Sequence, residues 1–196
     1  MILEVGRWAL SRSAEDSRAF GCNGTKPPRI AVNVSALQLR QKDFVGMLND
    51  ALGESANGFD LEITESLVMQ DIEANIGKLS LARKMGLEVA VDAFGTGYSS
   101  LSYIARLPVN ALKIDRSFIV NMTRNSDDLS IVSTIIALAH SLGMKVIAEG
   151  VETREQAVLL KLLRCDEIQG YLFSPAVPPE TITRYLCDGK RLDLDG

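Results

Sequence analysis

The stretch over residues 87–115, LEVAVDAFGTGYSSLSYIARLPVNALKID, carries one complete strand–helix–strand pattern. It opens on a β-branched run, LEVAVDAF (87–94), and closes on a second, ALKID (111–115), with a helix-period segment over 98–106 between them. The alternation persists outward in both directions. RIAVNVS (29–35) and FDLEITE (59–65) precede the unit, and KVIAEGV (145–151) and DEIQGY (166–171) follow it. Amphipathic helical patterns lie near 43–52, 71–85, 127–142 and 153–163, and an unaccompanied helix near 3–20 comes first. Gly86 and Gly143 stand where helices stop, and GCNGTKPP (21–28) is the clearest loop. Strands alternating with helices of this length indicate a parallel sheet covered by helices, either a barrel or a doubly wound sheet.

Each strand ends on polar groups: Asn33, Glu62 with Glu65, Asp92, Lys113 with Asp115, Glu149 with Glu152, and Gln169. Buried parallel strands are usually apolar, so a carboxylate, amide or ammonium inside each run costs stability unless it is partnered. A barrel gathers all these ends on the face where barrel enzymes place their active sites, whereas a doubly wound sheet spreads them along a line. That convergence favours the barrel. A complete eight-stranded barrel typically needs ~250 residues. The 196 residues here offer six strands, which predicts an incomplete barrel lacking its first one or two strands.

Composition narrows the chemistry. The chain is 46% hydrophobic and 23% charged, with 21 basic against 25 acidic side chains, as expected of a globular protein. A net charge of −4 gives no reason to expect DNA as a partner. His140 is the only histidine, which excludes a multi-histidine zinc site within one chain. Cys22, Cys165 and Cys187 show no CxxC spacing and read as reduced thiols. The apolar start is interrupted by Glu4 and Arg7, and the window around IVSTIIALAH reaches His140 and Lys145 too soon to span a bilayer. The expectation is a cytoplasmic chain with no membrane segment.

Taken together, AVNVSALQL, LEITES, VDAFGTGYSSLSYI, LPVNALKID, VIAEGVET and DEIQGYLFSPAVP resemble the EAL domain family, the bacterial phosphodiesterases that linearise the second messenger cyclic di-GMP. These blocks run from Ala31 to Pro178 in the family's order and spacing. The resemblance implies a (βα) TIM-type barrel with Mg²⁺ or Mn²⁺ at its C-terminal face. It implies Asn33, Glu62 and Asp92 as metal ligands, oxygen donors suited to hard cations. It further implies Lys113 and Glu149 as catalytic residues, the lysine orienting the attacking water and the glutamate acting as base or metal-side ligand. Asp115, Glu152 and Gln169 fall at substrate-binding positions. Glu65 matches the residue that anchors the loop over 92–100, where Gly95 and Gly97 supply backbone freedom.

Two departures weigh against catalysis. The family's Glu-Ala-Leu strand should lie upstream of the first helix, and LEV at 3–5 is no substitute for it. The family also carries two consecutive aspartates before Phe-Gly, whereas here Asp92 is followed by Ala93. The expectation is therefore a single N-terminally truncated EAL-like domain over 1–196, with a partial cyclic di-GMP pocket and little or no hydrolysis. One alternative is an active metal-dependent phosphodiesterase whose Glu-Ala-Leu strand lies outside this chain. Another is a protein–protein interaction module without nucleotide binding. Cyclic di-GMP is the expected partner, with self-association or an upstream sensor or diguanylate cyclase domain as further expectations.

Plainer readings stand beside these. Glu62 and Glu65 flank Thr64, where a helix N-cap role is open to them, and His140 reads as a packing or surface residue. Asp127 and Asp128 open a helix and complement its dipole.

Overall fold

The computed structural model describes residues 1–20, 27–53, 56–97 and 101–194. The β-branched runs become six strands: β1 (Ile30–Asn33), β2 (Phe59–Thr64), β3 (Glu88–Phe94), β4 (Ala111–Ile114), β5 (Lys145–Glu149) and β6 (Glu167–Gln169). All pair in parallel, each with its neighbour in the chain, giving the spatial order β1-β2-β3-β4-β5-β6. A doubly wound sheet would break that sequential order. The sheet curls into a half-barrel, and among the described residues β1 and β6 each pair on one side only.

The helices that cover the sheet include α1 (Ile2–Ala19), α2 (Ala36–Leu39), α3 (Phe44–Leu52), α4 (Glu65–Met69) and α5 (Ile72–Lys84). They continue with α6 (Leu101–Ile104), α7 (Arg116–Asn121), α8 (Ser126–Ser141), α9 (Arg154–Leu162) and α10 (Pro179–Cys187). Strand alternation sends Leu61, Ile63, Val89, Val91, Leu112, Ile114, Val146 and Ala148 to one face, where each is fully buried. There they join Leu48, Leu79, Ile104, Ile119, Val132 and Leu160 in one core between sheet and helices. The opposite, concave face therefore carries Glu62, Ala90, Asp92, Ala111, Lys113, Ile147 and Glu149.

The strands stop earlier than their sequence runs because the next helix captures the terminal residue. Ser35 closes a capping box with Gln38, and Asp115 accepts from the Ser117 N–H at 2.8 Å, so both act as N-caps. Thr64 occupies the N-cap position of α4 without a side-chain bond to the helix backbone, while Glu65 is buried in the first turn, so neither Glu62 nor Glu65 caps this helix. Asn125 caps α8 through the Asp127 N–H, leaving Asp127 and Asp128 in its first turn. The helix expected over 98–106 is described only as α6, with 98–100 outside the described residues, as are 21–26 of the expected loop. The thiol reading needs correction. Cys187 is disulfide-bonded, whereas Cys165 is free, because folding can join cysteines whose sequence spacing gives no sign of it. Among the described residues, no helix is long and apolar enough to cross a membrane.

Candidate functional site

Lys113 is the centre of the concave face. It sits third in β4, a strand buried at all four residues, and is itself only 1% exposed. Its Nζ lies 2.5 Å from Glu62 Oε1, 2.5 Å from Glu149 Oε1 and 3.9 Å from Asp92 Oδ1. The four groups come from β2, β3, β4 and β5, adjacent strands whose C-terminal ends the parallel register brings level. A buried ammonium without partners would be driven neutral, and a buried carboxylate likewise. Burial does work against the Lys113 charge, but the hydrogen bonds to Glu149 and Glu62 outweigh it and hold its pKa above the ordinary lysine value. At Glu149 burial pushes the carboxyl up, against the pull of Lys113, and the neighbouring charges of Asp92 and Glu62 push in the same direction. Three carboxylates against one ammonium leave this rim with surplus negative charge.

The expected site residues separate into groups. Glu62, Asp92, Lys113 and Glu149 converge. Asn33 ends β1 level with Glu62, and Gln169 ends β6 level with Glu149, both exposed. Gln169 and Glu62 also line a cavity of about 410 Å³ on the concave face, with Ala31, Ala90, Ala111 and Ile147 among its walls. Asp115 is occupied at the start of α7, and Glu152 pairs with Arg116 at 2.7 Å. Neither joins the cluster.

Glu65 meets the segment after β3. Its Oε2 accepts from the Gly95 N–H at 2.9 Å, and a Cβ at Gly97 would stand 2.5 Å from Glu65 Oε1, so only glycine allows that approach. Gly95 itself has φ +98°, a conformation that favours glycine. The register between β3 and β4 shifts between Val91 and Phe94, and within that irregularity Ala93 takes φ +53°. Its N–H donates to Asp92 Oδ1 at 2.8 Å. Bulges re-aim side chains at the ends of strands, and this one takes Asp92 out of register with β4 while it stays level with Thr64 of β2.

A divalent cation fits this donor set in kind. Asn33, Glu62 and Asp92 offer hard oxygens, and the rim has negative charge to spare. It does not fit in position. Glu62 and Glu149 are both bridged by the Lys113 ammonium, and Ala93 contributes a methyl. Among the described residues, no three His, Cys, Asp or Glu side chains form a group that could hold a metal ion.

Sequence reasoning passed over two residues on this rim, Arg116 and Gly150. The signal was present, since Arg116 directly follows the ALKID run and Gly150 directly follows Glu149.

The comparisons agree with this architecture. The EAL domain family matches residues 1–176. The cyclic di-GMP phosphodiesterase NbdA of Pseudomonas aeruginosa is 40% identical over 189 residues, covering 95% of this chain and 24% of that protein. The bifunctional diguanylate cyclase/cyclic di-GMP phosphodiesterase MucR of the same organism is 40% identical over 185 residues, covering 93% of this chain and 27% of that one. This chain thus spans about a quarter of the length of these curated relatives. The solved cyclic di-GMP complex of the PaMucR phosphodiesterase superposes with a TM-score of 0.87 at 40% identity, covering 92% of this chain and 74% of that one. A manganese and cyclic di-GMP complex of Klebsiella pneumoniae BlrP1 superposes with a TM-score of 0.75 at 28% identity, covering 88% and 43%. Sequential parallel strands, a buried lysine among strand-end carboxylates and these similarities lead to one assignment: the chain belongs to the EAL domain family.

Proposed function

We propose that residues 1–196 act as one EAL domain that binds cyclic di-GMP at the concave rim and hydrolyses it slowly or not at all. Binding is supported by the relatives, whose names and complexes carry this nucleotide, and by the strand-end residues that the sequence blocks match to the family by resemblance. One observation carries the catalytic half of the reading. Lys113 bridges Glu62 and Glu149, while the residue after Asp92 is an alanine rather than a second carboxylate. When bound, a pair of divalent cations would supply a hydroxide nucleophile and stabilise displacement at phosphorus. In this chain Asn33, Glu62 and Asp92 supply donors of the right kind, but the Lys113 ammonium already occupies Glu62 and the set is out of position to hold such ions. Losing one well-placed charge-stabilising group commonly costs about 10²–10³ in rate.

Two measurements test the reading together. Calorimetry with cyclic di-GMP should show saturable binding that Mn²⁺ tightens only a few-fold. A hydrolysis assay with Mg²⁺ or Mn²⁺ should show turnover at least ~10³-fold below that of a relative bearing both aspartates. Robust turnover would replace this reading with an active phosphodiesterase. Absence of binding at millimolar nucleotide would replace it with a protein–protein interaction module.

A further inference from the structure

A cyclic dinucleotide brings two phosphate charges to a rim already carrying surplus carboxylates, and the one cation of the cluster is not available to it. Lys113 is buried and committed to Glu62 and Glu149. An anionic ligand therefore needs a second, accessible cation beside the cluster.

Arg116 meets those conditions. It is the first residue of α7, one position beyond Asp115, and its aliphatic stem lies across Gly150, the residue that follows Glu149. A Cβ on Gly150 would stand 2.2 Å from Arg116 Cγ and 2.7 Å from Cδ, so a side chain there would collide with the stem. Gly150 also has φ +71°, which L side chains rarely adopt. The stem is thus packed against the backbone of the residue that follows Glu149 in the chain. At its far end Nη2 reaches Glu152 Oε1 at 2.7 Å, in a pair whose side chains are 61% and 42% exposed.

The two partners are held in register by a buried amide. Gln156 Oε1 accepts from the Glu152 and Thr153 N–H groups at 2.9 and 3.0 Å, and its Nε2 donates to Ile119 O of α7 at 3.1 Å. The turn bearing Glu152 and the helix bearing Arg116 are therefore fixed to one another. An ion pair this exposed is weak, so the guanidinium is positioned without being consumed. Its planar fork suits a phosphate better than a point charge does.

The geometry points to Arg116 as a phosphate-contacting residue of this site, parked on Glu152 until an anionic nucleotide takes its place. This rests on the nucleotide-binding reading above. Glu152 then acts as the competitor that holds the fork ready, rather than as a ligand for the nucleotide.

The test is calorimetry of the purified chain with cyclic di-GMP. Arg116→Gln should weaken binding on the order of tenfold, and Arg116→Lys, which keeps the charge but loses the fork, should fall between that variant and wild type. Glu152→Gln should bind as tightly as wild type or several-fold tighter, because the competing carboxylate is gone. Arg106→Gln removes another exposed, ion-paired arginine, on the segment entering β4 at the opposite end of the strand, and should leave affinity unchanged. Thermal unfolding of each variant checks that the fold is retained, and Arg116→Lys keeps the test available if Arg116→Gln fails to fold. Wild-type binding that Arg116→Gln and Arg116→Lys leave unaltered overturns this inference alone. A wild-type chain that binds no nucleotide overturns the reading of the site, and this inference with it.

Discussion

The Nζ of Lys113 and Oε1 of Glu149 stand 2.5 Å apart across adjacent strands, and the same ammonium lies 2.5 Å from Glu62. Truncating one partner of a buried charge pair costs more than the pair contributes, because the remaining charges stay desolvated. Lys113→Met should therefore lower stability by about 3–5 kcal/mol at neutral pH. Urea unfolding of variant and wild type measures it. A loss below ~1 kcal/mol, the size of an exposed pair, would show that both carboxylates relax to solvent once the lysine is gone.

Ala93 holds a left-handed backbone at φ +53°, where the Cβ of an L-residue is disfavoured and asparagine is better tolerated. The conformation is kept by the shifted β3–β4 register and by the hydrogen bond of its N–H to Asp92. Ala93→Asn relieves the strain without adding charge beside three carboxylates. It should raise stability by ~1 kcal/mol, equivalent to roughly 2–4 °C in Tm for a domain of this size. An unchanged or lower melting temperature would mean that the space around residue 93 penalises the larger side chain.

How much of this was legible in the sequence follows from burial. All six strands were readable because parallel strands covered by helices need unbroken β-branched runs, and Lys113 stood out because nothing but a paired charge belongs in ALKI. The strand ends were overread, since Ser35 and Asp115 look like the last residues of strands and in fact cap helices. The helices α2, α4 and α7, of four to six residues, are too short to show a period. The helix α10 follows the last strand with an amphipathic sequence, although none of its residues is buried. The partition of the polar strand ends was invisible because it depends on reach. Lys113 spans to two carboxylates, whereas Glu152 turns to Arg116 and Glu65 turns to Gly95. His140, read as packing or surface, is exposed and pairs with Asp166 at 2.9 Å, a contact made across 26 residues of chain.

Cys165 gives a pH-dependent prediction with a definite sign. Burial pushes its thiol up to about 11, from an ordinary 9.0, although hydrogen bonding from the Glu167 backbone pulls the other way. The folded state thus favours the protonated thiol, and that contribution to stability is present below the unfolded pKa and lost as pH rises from about 9 towards 11. At pH 8 two units of displacement leave ~100-fold less thiolate than in the unfolded chain, and the thiolate is the reactive form. Alkylation by iodoacetamide, followed by peptide mass spectrometry, should be slow in the native protein and fast in urea at the same pH. Equal rates would show that Cys165 is neither buried nor held protonated.

Among the described residues, Ile30–Asn33 pairs only with β2 and Glu167–Gln169 only with β5, so each strand turns one row of backbone N–H and C=O groups away from the sheet. Ala31 and Asn33 are exposed beside that row, with no charged side chain within β1 to discourage pairing. Unprotected edges of this kind recruit other strands. The 196-residue chain prepared by itself should therefore self-associate, with an average mass in light scattering that rises with concentration. Ala31→Lys places a charge on the β1 edge without touching the core between sheet and helices, and should shift the distribution towards monomer. A wild-type chain that stays monomeric at every concentration would show that these edges are protected in solution. Self-association that Ala31→Lys leaves unaltered would place the contact away from β1.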